Sequence, residues 1–234
     1  MRIVTLSWMI VLSVAPGLGA RDGDAPLRPH PHPAIVDRFL QRDDVPLTSY
    51  RAVRRLEARN ARFEAAGWIR VVTEFSADTG LRWSVIDEGG SGYIRKNVLR
   101  KALDAEVEAY RTGGPAKAAL TDANYTFVEA HALDAGLMQV RVEPRRKDAL
   151  LVSGAIVLQS QDGDLVQVAG RLAKSPSAWT RWIDVVRTYA RRNGVRVPVS
   201  MDSDASVRVV GVSEFHMTYD YQAINGAPVI YARR

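Results

Sequence analysis

The 234-residue sequence contains no cysteine. That absence removes disulfides, cysteine-ligated zinc, iron–sulfur clusters and thiol nucleophiles together. Lysine is nearly as scarce: Lys96, Lys101, Lys117, Lys147 and Lys174 are the only five among 32 basic residues. A charge carried almost wholly by arginine follows from base composition as readily as from a ligand. The formal net charge of +6 therefore does not by itself indicate nucleic acid. No Gly-x-x-x-x-Gly-Lys phosphate loop and no His-Glu-x-x-His zinc motif occurs. Gly89-Gly90-Ser91-Gly92 lacks the neighbours of a nucleophile elbow, and Ser91 reads instead as a helix cap. What is present, 47% apolar and 25% charged residues, is the composition of a globular domain rather than of a disordered or polytopic membrane chain.

The first twenty residues run from a basic start at Arg2 through the apolar stretch Ile3–Val14 to Ala15, Pro16, Gly17, Gly19 and Ala20. This is the segment order of a secretory signal peptide, with an apolar core short of the roughly 20 residues a membrane span needs. Export is therefore expected, to the periplasm, and nucleic acid is not an expected partner. Arg21–Pro33 holds Pro26, Pro29, Pro31 and Pro33, which deny it regular hydrogen bonding. His30 and His32 alternate with those prolines. A metal site needs three or four converging ligands, so both read as linker residues. The expected organisation is residues 1–20 as signal, 21–47 as a proline-rich lead-in with a short N-terminal segment, and 48–234 as one domain.

Thr48–Ala66 reads as a first long helix, stopped by Gly67. At about 100° per residue, Val53, Leu56 and Phe63 share one side, and Arg51, Arg54, Arg55, Arg59 and Arg62 gather on the other. The arginine side is either a solvated charged face or, through Arg51, Arg55, Arg59 and Arg62, a surface for transient contact with anionic membrane. Trp68–Ser76 and Leu81–Asp87 read as a hairpin, and Tyr93–Arg111 as a second helix with Ile94, Val98, Ala102, Ala105 and Ala109 along one stripe. From Asn124 the period becomes two. In Leu137–Glu143, Met138, Val140 and Val142 alternate with Gln139, Arg141 and Glu143. Leu150–Ser160 and Leu165–Leu172 flank an Asp-Gly turn. Trp179–Arg192 fits a strand or a helix, with its alternation favouring a strand. Val195–Ser200 and Ser206–Gln222 complete the set. In the last, Val207, Val209, Phe215, Met217, Tyr219 and Tyr221 share one face, and His216 lies on the other beside Glu214 and Thr218. The pattern predicts an α+β fold: a single curved antiparallel sheet, a half-barrel of about eight strands, with helices packed on its concave face.

Several residues then form an ordered series: Glu143-Pro144, Leu151 with Gly154 and Ile156, Asp162-Gly163-Asp164-Leu165-Val166, Gly170-Arg171-Leu172, and Lys174-Ser175-Pro176-Ser177 before Trp179-Thr180. Val197-Pro198, Gly211 and Tyr219-Asp220-Tyr221 follow, and Glu88-Gly89-Gly90-Ser91, Ile94-Arg95 and Val98-Leu99 precede them. This order resembles the LolA-like family of exported bacterial proteins, the outer-membrane lipoprotein-sorting half-barrels. The resemblance covers roughly Thr48 to Asn225 and rests on turn and packing residues. It implies a sheet that shelters lipid acyl chains or another apolar ligand, with a lipoprotein or envelope protein as partner. One departure is visible: Leu81-Arg82-Trp83 lacks the proline that accompanies the lid-holding arginine of the lipoprotein carrier, so no lid role passes to Arg82.

The expected function is therefore non-catalytic, without cofactor or metal: binding or transfer of a lipid or lipidated protein in outer-membrane biogenesis. Phe75, Trp83, Ile94, Val98, Phe127, Met138, Phe215, Met217 and Tyr219 are the candidate lining of an apolar cavity. The alternatives are an envelope scaffold that binds partners through its sheet edges and a hydrolase built on His131 or His216 with Glu129, Glu214 or Asp220.

Overall fold

The computed structural model describes residues 32–231; the signal segment and His30 lie outside them. A short helix, α1 (Ala34–Leu40), opens the fold. Strands β1 (Ser49–Asn60), β2 (Ala65–Ser76) and β3 (Gly80–Gly90) then form an antiparallel meander. A helical stretch follows, made of α2 (Gly92–Ile94), a π-turn over Arg95–Leu99 and α3 (Arg100–Arg111), with the short α4 (Gly114–Ala118) behind it. The Ser91 hydroxyl caps its start, accepting from the Ile94 amide at 3.4 Å. Strands β4 (Tyr125–Leu133), β5 (Leu137–Pro144), β6 (Val152–Gln159), β7 (Leu165–Leu172), β8 (Thr180–Arg192), β9 (Val195–Val207) and β10 (Gly211–Ile224) complete a second meander, and β11 (Ala227–Pro228) adds a short edge to β10.

The strand order is β3-β2-β1-β10-β9-β8-β7-β6-β5-β4, so the described residues form one open antiparallel sheet of eleven strands, β11 included, rather than about eight. Its two meanders meet where β1 pairs with β10, and the helical stretch runs from one edge strand, β3, to the other, β4. Helices cover one face. Ile94, Leu99 and Leu103 pack with residues of β1, β2, β9 and β10, while Ile35, Val36 and Phe39 of α1 pack with β4 to β9.

The expected helix over Thr48–Ala66 is a strand. Tyr50, Ala52, Arg54, Leu56, Ala58 and Asn60 are all buried and alternate with more exposed neighbours, the period of a pleated strand paired on both sides. Good helix-forming residues were overridden by two flanking strands, as strand formation depends more on neighbours than on propensity. Arg51, Arg55 and Arg59 therefore stand on the outer face of a sheet, and Arg62 lies in the turn Ala61–Phe63. Nor is this a free basic surface: Arg51 pairs with Glu74, Arg55 with Glu57 and Arg59 with Glu214. Phe63 is 57% exposed.

Other expectations shift less. β8 resolves Trp179–Arg192 as a strand. β9 runs on to Val207, so Val209 belongs to a turn and is exposed instead of sharing the inner face. The lead-in is partly structured. α1 docks its apolar side in the core, and His32 lies between Asp37 at 3.4 Å and Asp122 at 3.1 Å, edge-on to Phe127. It is a packed residue, not a linker residue.

Candidate ligand-binding site

The inner face is filled unevenly. Under α1, Phe39, Tyr125, Phe127, Val140, Ile156, Leu158 and Val185 pack into a continuous core. The candidates Phe127 and Met138 belong to this core and not to the lining of the cavity under α3. Under α3 the packing is incomplete. A cavity of about 410 Å³, its open mouth included, lies between the helix and strands β1, β9 and β10. Leu56, Ala102, Leu103, Met201, Phe215 and Met217 form its apolar walls; Arg54, Glu106 and Ser203 form its polar end.

Strand register explains this lining. On the inner face Leu56 opposes Met217, which opposes Met201, while Ala58 opposes Phe215, which opposes Ser203. Two adjacent methionines give an unbranched, adaptable surface. Ala102 presents a single methyl group from above. Of the candidates, Phe215 and Met217 line the cavity. Tyr219 stands behind it, 5.8 Å from Tyr221 in a stacked arrangement. Phe75 packs on Tyr110 and Tyr50, Trp83 lies near Arg100, and Ile94 and Val98 sit in the surrounding core without reaching the space.

The polar end is unusual for an apolar interior. Arg54 is 1% exposed. Its Nη2 donates to Glu106 Oε2 at 2.7 Å and to the Tyr219 hydroxyl at 3.3 Å, while Nε and Nη1 find no partner. A guanidinium carries five N–H groups, so three remain without an acceptor. The Ser203 hydroxyl is buried and also lacks a partner. Each such buried donor costs about 1–3 kcal/mol. Arg187 on β8 donates from its own Nη2 to the same Tyr219 hydroxyl at 3.2 Å. Burial opposes the charge of both arginines. For Arg54, Glu106, Tyr219 and Tyr50 outweigh burial; for Arg187, Tyr219, Tyr189 and Glu106 do, and both guanidiniums stay cationic. Burial, with Tyr110 and Glu106, pushes the Tyr50 phenol well above its ordinary range.

The histidines form no such site. His216 meets Asp202 at 2.6 Å on the outer face, where the two are directly opposed across β10 and β9. His131 lies 3.6 Å from Glu129 on an exposed stretch. Asp162 shapes its turn by accepting from the Asp164 amide at 3.0 Å, and Asp164 pairs with Arg191. Among the described residues, no group of three or more His, Cys, Asp or Glu side chains is placed to hold a metal ion.

Seven of the nine lining residues lie outside the candidate set, four of them for identifiable reasons. Arg54 was placed on an exposed helical face, and Leu56 on that helix's other side. Met201 and Ser203 fall in the part of β9 that looks like loop. The detectable signal was the parity of Arg54 with Tyr50, Ala52 and Leu56.

Architecture and cavity together define an open antiparallel sheet that holds a small amphipathic hollow beneath a helix. No family model and no curated protein matches the chain. Among solved structures it is similar to a LolA superfamily protein from Nitrosomonas europaea, at 10% identity and a TM-score of 0.44 over 80% of this chain and 91% of that one. It is also similar to a domain assigned to outer membrane lipoprotein sorting from Vibrio parahaemolyticus, at 11% identity and a TM-score of 0.38 over 82% and 89%.

Proposed function

We propose that this is an exported, non-catalytic binding protein whose half-barrel sheet receives the acyl chain of a lipid or lipidated protein beneath α3. The observation that carries the reading is the unfilled apolar hollow lined by Leu56, Met201, Phe215 and Met217. Each methylene withdrawn from water against these walls contributes about 0.8 kcal/mol. Export rests on the segment order of Met1–Ala20.

The test is mass spectrometry of organic extracts from natively purified protein, combined with thermal unfolding in the presence of acyl ligands. A ligand that prefers the native state raises the unfolding midpoint. The expected result is a co-purifying acyl lipid and a concentration-dependent rise in midpoint. Protein that carries no lipid and is unmoved by any acyl ligand overturns the reading.

A further inference from the structure

We propose that one end of the sheet is a docking surface for an anionic lipid bilayer, built from three neighbouring connections between strands. The inference is independent of the acyl-binding reading and concerns a different part of the molecule. The strand order β2-β1-β10-β9-β8-β7 sets the β1–β2, β9–β10 and β7–β8 connections side by side at that end. They also touch. Asn60 Nδ2 donates to the Val210 and Val212 carbonyls at 3.1 and 3.2 Å, and the Arg208 amide donates to the Trp179 carbonyl at 2.8 Å. Each connection carries an exposed cation and an exposed apolar side chain: Arg62 with Phe63, Arg208 with Val209, and Lys174 with Trp179. The three apolar residues are 57%, 72% and 47% exposed in that order.

Neither packing nor backbone geometry accounts for Val209. It holds φ at +71°, in the left-handed region that asparagine or glycine accepts and a β-branched residue rarely adopts. Of the five non-glycine residues with positive φ among the described residues, it is the one that is β-branched. A strained valine in water gains nothing from the fold, but gains burial at the boundary between headgroups and acyl chains. The charges agree. Arg62, Arg208 and Lys174 have no ion-pair partner among the described residues, whereas Arg51, Arg55 and Arg59 are each paired with an acid. Glu64 is the sole acidic residue in the three connections, while the turns at the opposite end carry Asp78, Asp134 and Asp162. The molecule is therefore polar along its strands, with its basic, apolar-tipped end complementary to negative lipid. Nucleic acid would satisfy the cations but offers no hydrocarbon to receive Phe63 and Val209.

The test is co-sedimentation with vesicles of phosphatidylcholine, made with and without phosphatidylglycerol. Protein of residues 21–234 is used, so that the apolar stretch Ile3–Val14 cannot itself enter the bilayer. Three cations, each contributing about fivefold near an anionic surface, give an expected preference for the anionic vesicles of about a hundredfold at low salt. Added salt is expected to shrink it. Arg62→Ser with Arg208→Ser is expected to lower anionic binding about 25-fold. Val209→Asn is expected to weaken binding several-fold and raise the thermal unfolding midpoint, a split that a merely structural valine would not show. Tryptophan emission is expected to shift to the blue on anionic vesicles in the parent and not in Trp179→Phe. Leu133, exposed at the opposite end beside Asp134, supplies the control: Leu133→Asn is expected to bind as the parent does.

Equal binding to the two kinds of vesicle, binding to neither, or unchanged affinity in the Arg62 and Arg208 double variant overturns the proposal. So does a loss in Leu133→Asn as large as that in Val209→Asn. Retention on heparin that survives Val209→Asn, without binding to vesicles, identifies a soluble polyanion as the partner and overturns the bilayer. None of these outcomes touches the acyl-binding reading, which is decided by extracted lipid and by midpoints with free acyl ligands.

Discussion

Arg54 and Tyr219 face each other directly across β1 and β10, with the guanidinium carbon 4.6 Å from the centre of the phenol ring. The ring face meets the cation, the hydroxyl accepts from its Nη2, and Glu106 reaches the same nitrogen from the helix above. This arrangement couples α3 to the middle of the sheet, and its strength is measurable.

Glu106→Gln removes the countercharge and leaves a buried cation behind. The expected loss is about 3 kcal/mol, as for other buried pairs broken from one side. The double variant Arg54→Met with Glu106→Leu, which removes both members of the pair, is expected to recover only part of it, because the buried Arg187 keeps its charge and loses Glu106. Urea unfolding of the two variants checks this. A Glu106→Gln protein as stable as the parent means the pair lies in an environment wetter than its burial indicates.

Gly154 and Gly170 are cross-strand partners in β6 and β7. A Cβ on Gly154 would lie 2.2 Å from the Ala169 carbonyl oxygen and 2.6 Å from Gly170 Cα, so two backbones would have to part. Gly154→Ala is expected to cost at least about 2 kcal/mol. Gly92→Ala, whose nearest neighbour would be Arg95 Nη2 at 3.7 Å, is the control and is expected to be neutral or mildly stabilising. Thermal unfolding of both decides the matter, and equal midpoints would refute the close-approach argument.

Alkaline pH should act through buried phenols. Burial pushes the Tyr125 phenol up to about 12, against the amide hydrogen bond that it accepts from Val152 at 3.1 Å. Burial likewise raises Tyr50, Tyr189 and Tyr221. A pKa that is higher in the fold than in the unfolded chain stabilises fully below the unfolded value of about 10. For Tyr125 that contribution declines as pH climbs from about 10 to about 12. Unfolding midpoints in urea are therefore expected to drop steeply above about pH 10. Tyr125→Phe, which leaves the Val152 amide unpartnered, should lose about 1–2 kcal/mol near neutrality and show a shallower alkaline decline. An unchanged alkaline slope would exclude Tyr125 as a contributor.

Asp204 offers a contrast on the outer face. Partial burial, followed by Glu214, Asp184 and Asp202, raises its carboxyl pKa, with Arg59 pulling the other way. The raised pKa means its favourable contribution exists at low pH and is lost as pH rises through the folded value. Asp204→Asn is therefore expected to stabilise the protein near neutrality, by at most about 0.5 kcal/mol because solvent screens an exposed group. The gain should fade on acidification and in high salt; a loss of stability near neutrality would contradict it.

Legibility in the sequence followed local chemistry. Leu137–Glu143 was readable because one face is apolar and the other polar, and the Asp-Gly turn between β6 and β7 announced itself. β1 was not readable: its inward row includes Arg54 and Asn60, residues that look exposed until Glu106, Tyr219 and Ser213 are brought to them from distant segments. The far end of β9 carries Asp202, Ser203 and Asp204, which read as loop because strand alternation there sets small residues against acidic ones. The cavity inherits both blind spots. Its apolar wall was half visible in Phe215 and Met217, whereas its polar end depends on contacts 52 to 165 residues apart.

The order β2-β1-β10-β9 has a consequence for how the molecule is made. Tyr50 must find Ile224, and Asn60 must find Ser213, before the two meanders become one sheet. Synthesis delivers β1 early and β10 near the end, so the early hairpins wait with one edge bare while the rest of the polypeptide emerges. Such long-range pairing is slow, and it makes that waiting edge the place where a chaperone would be needed most.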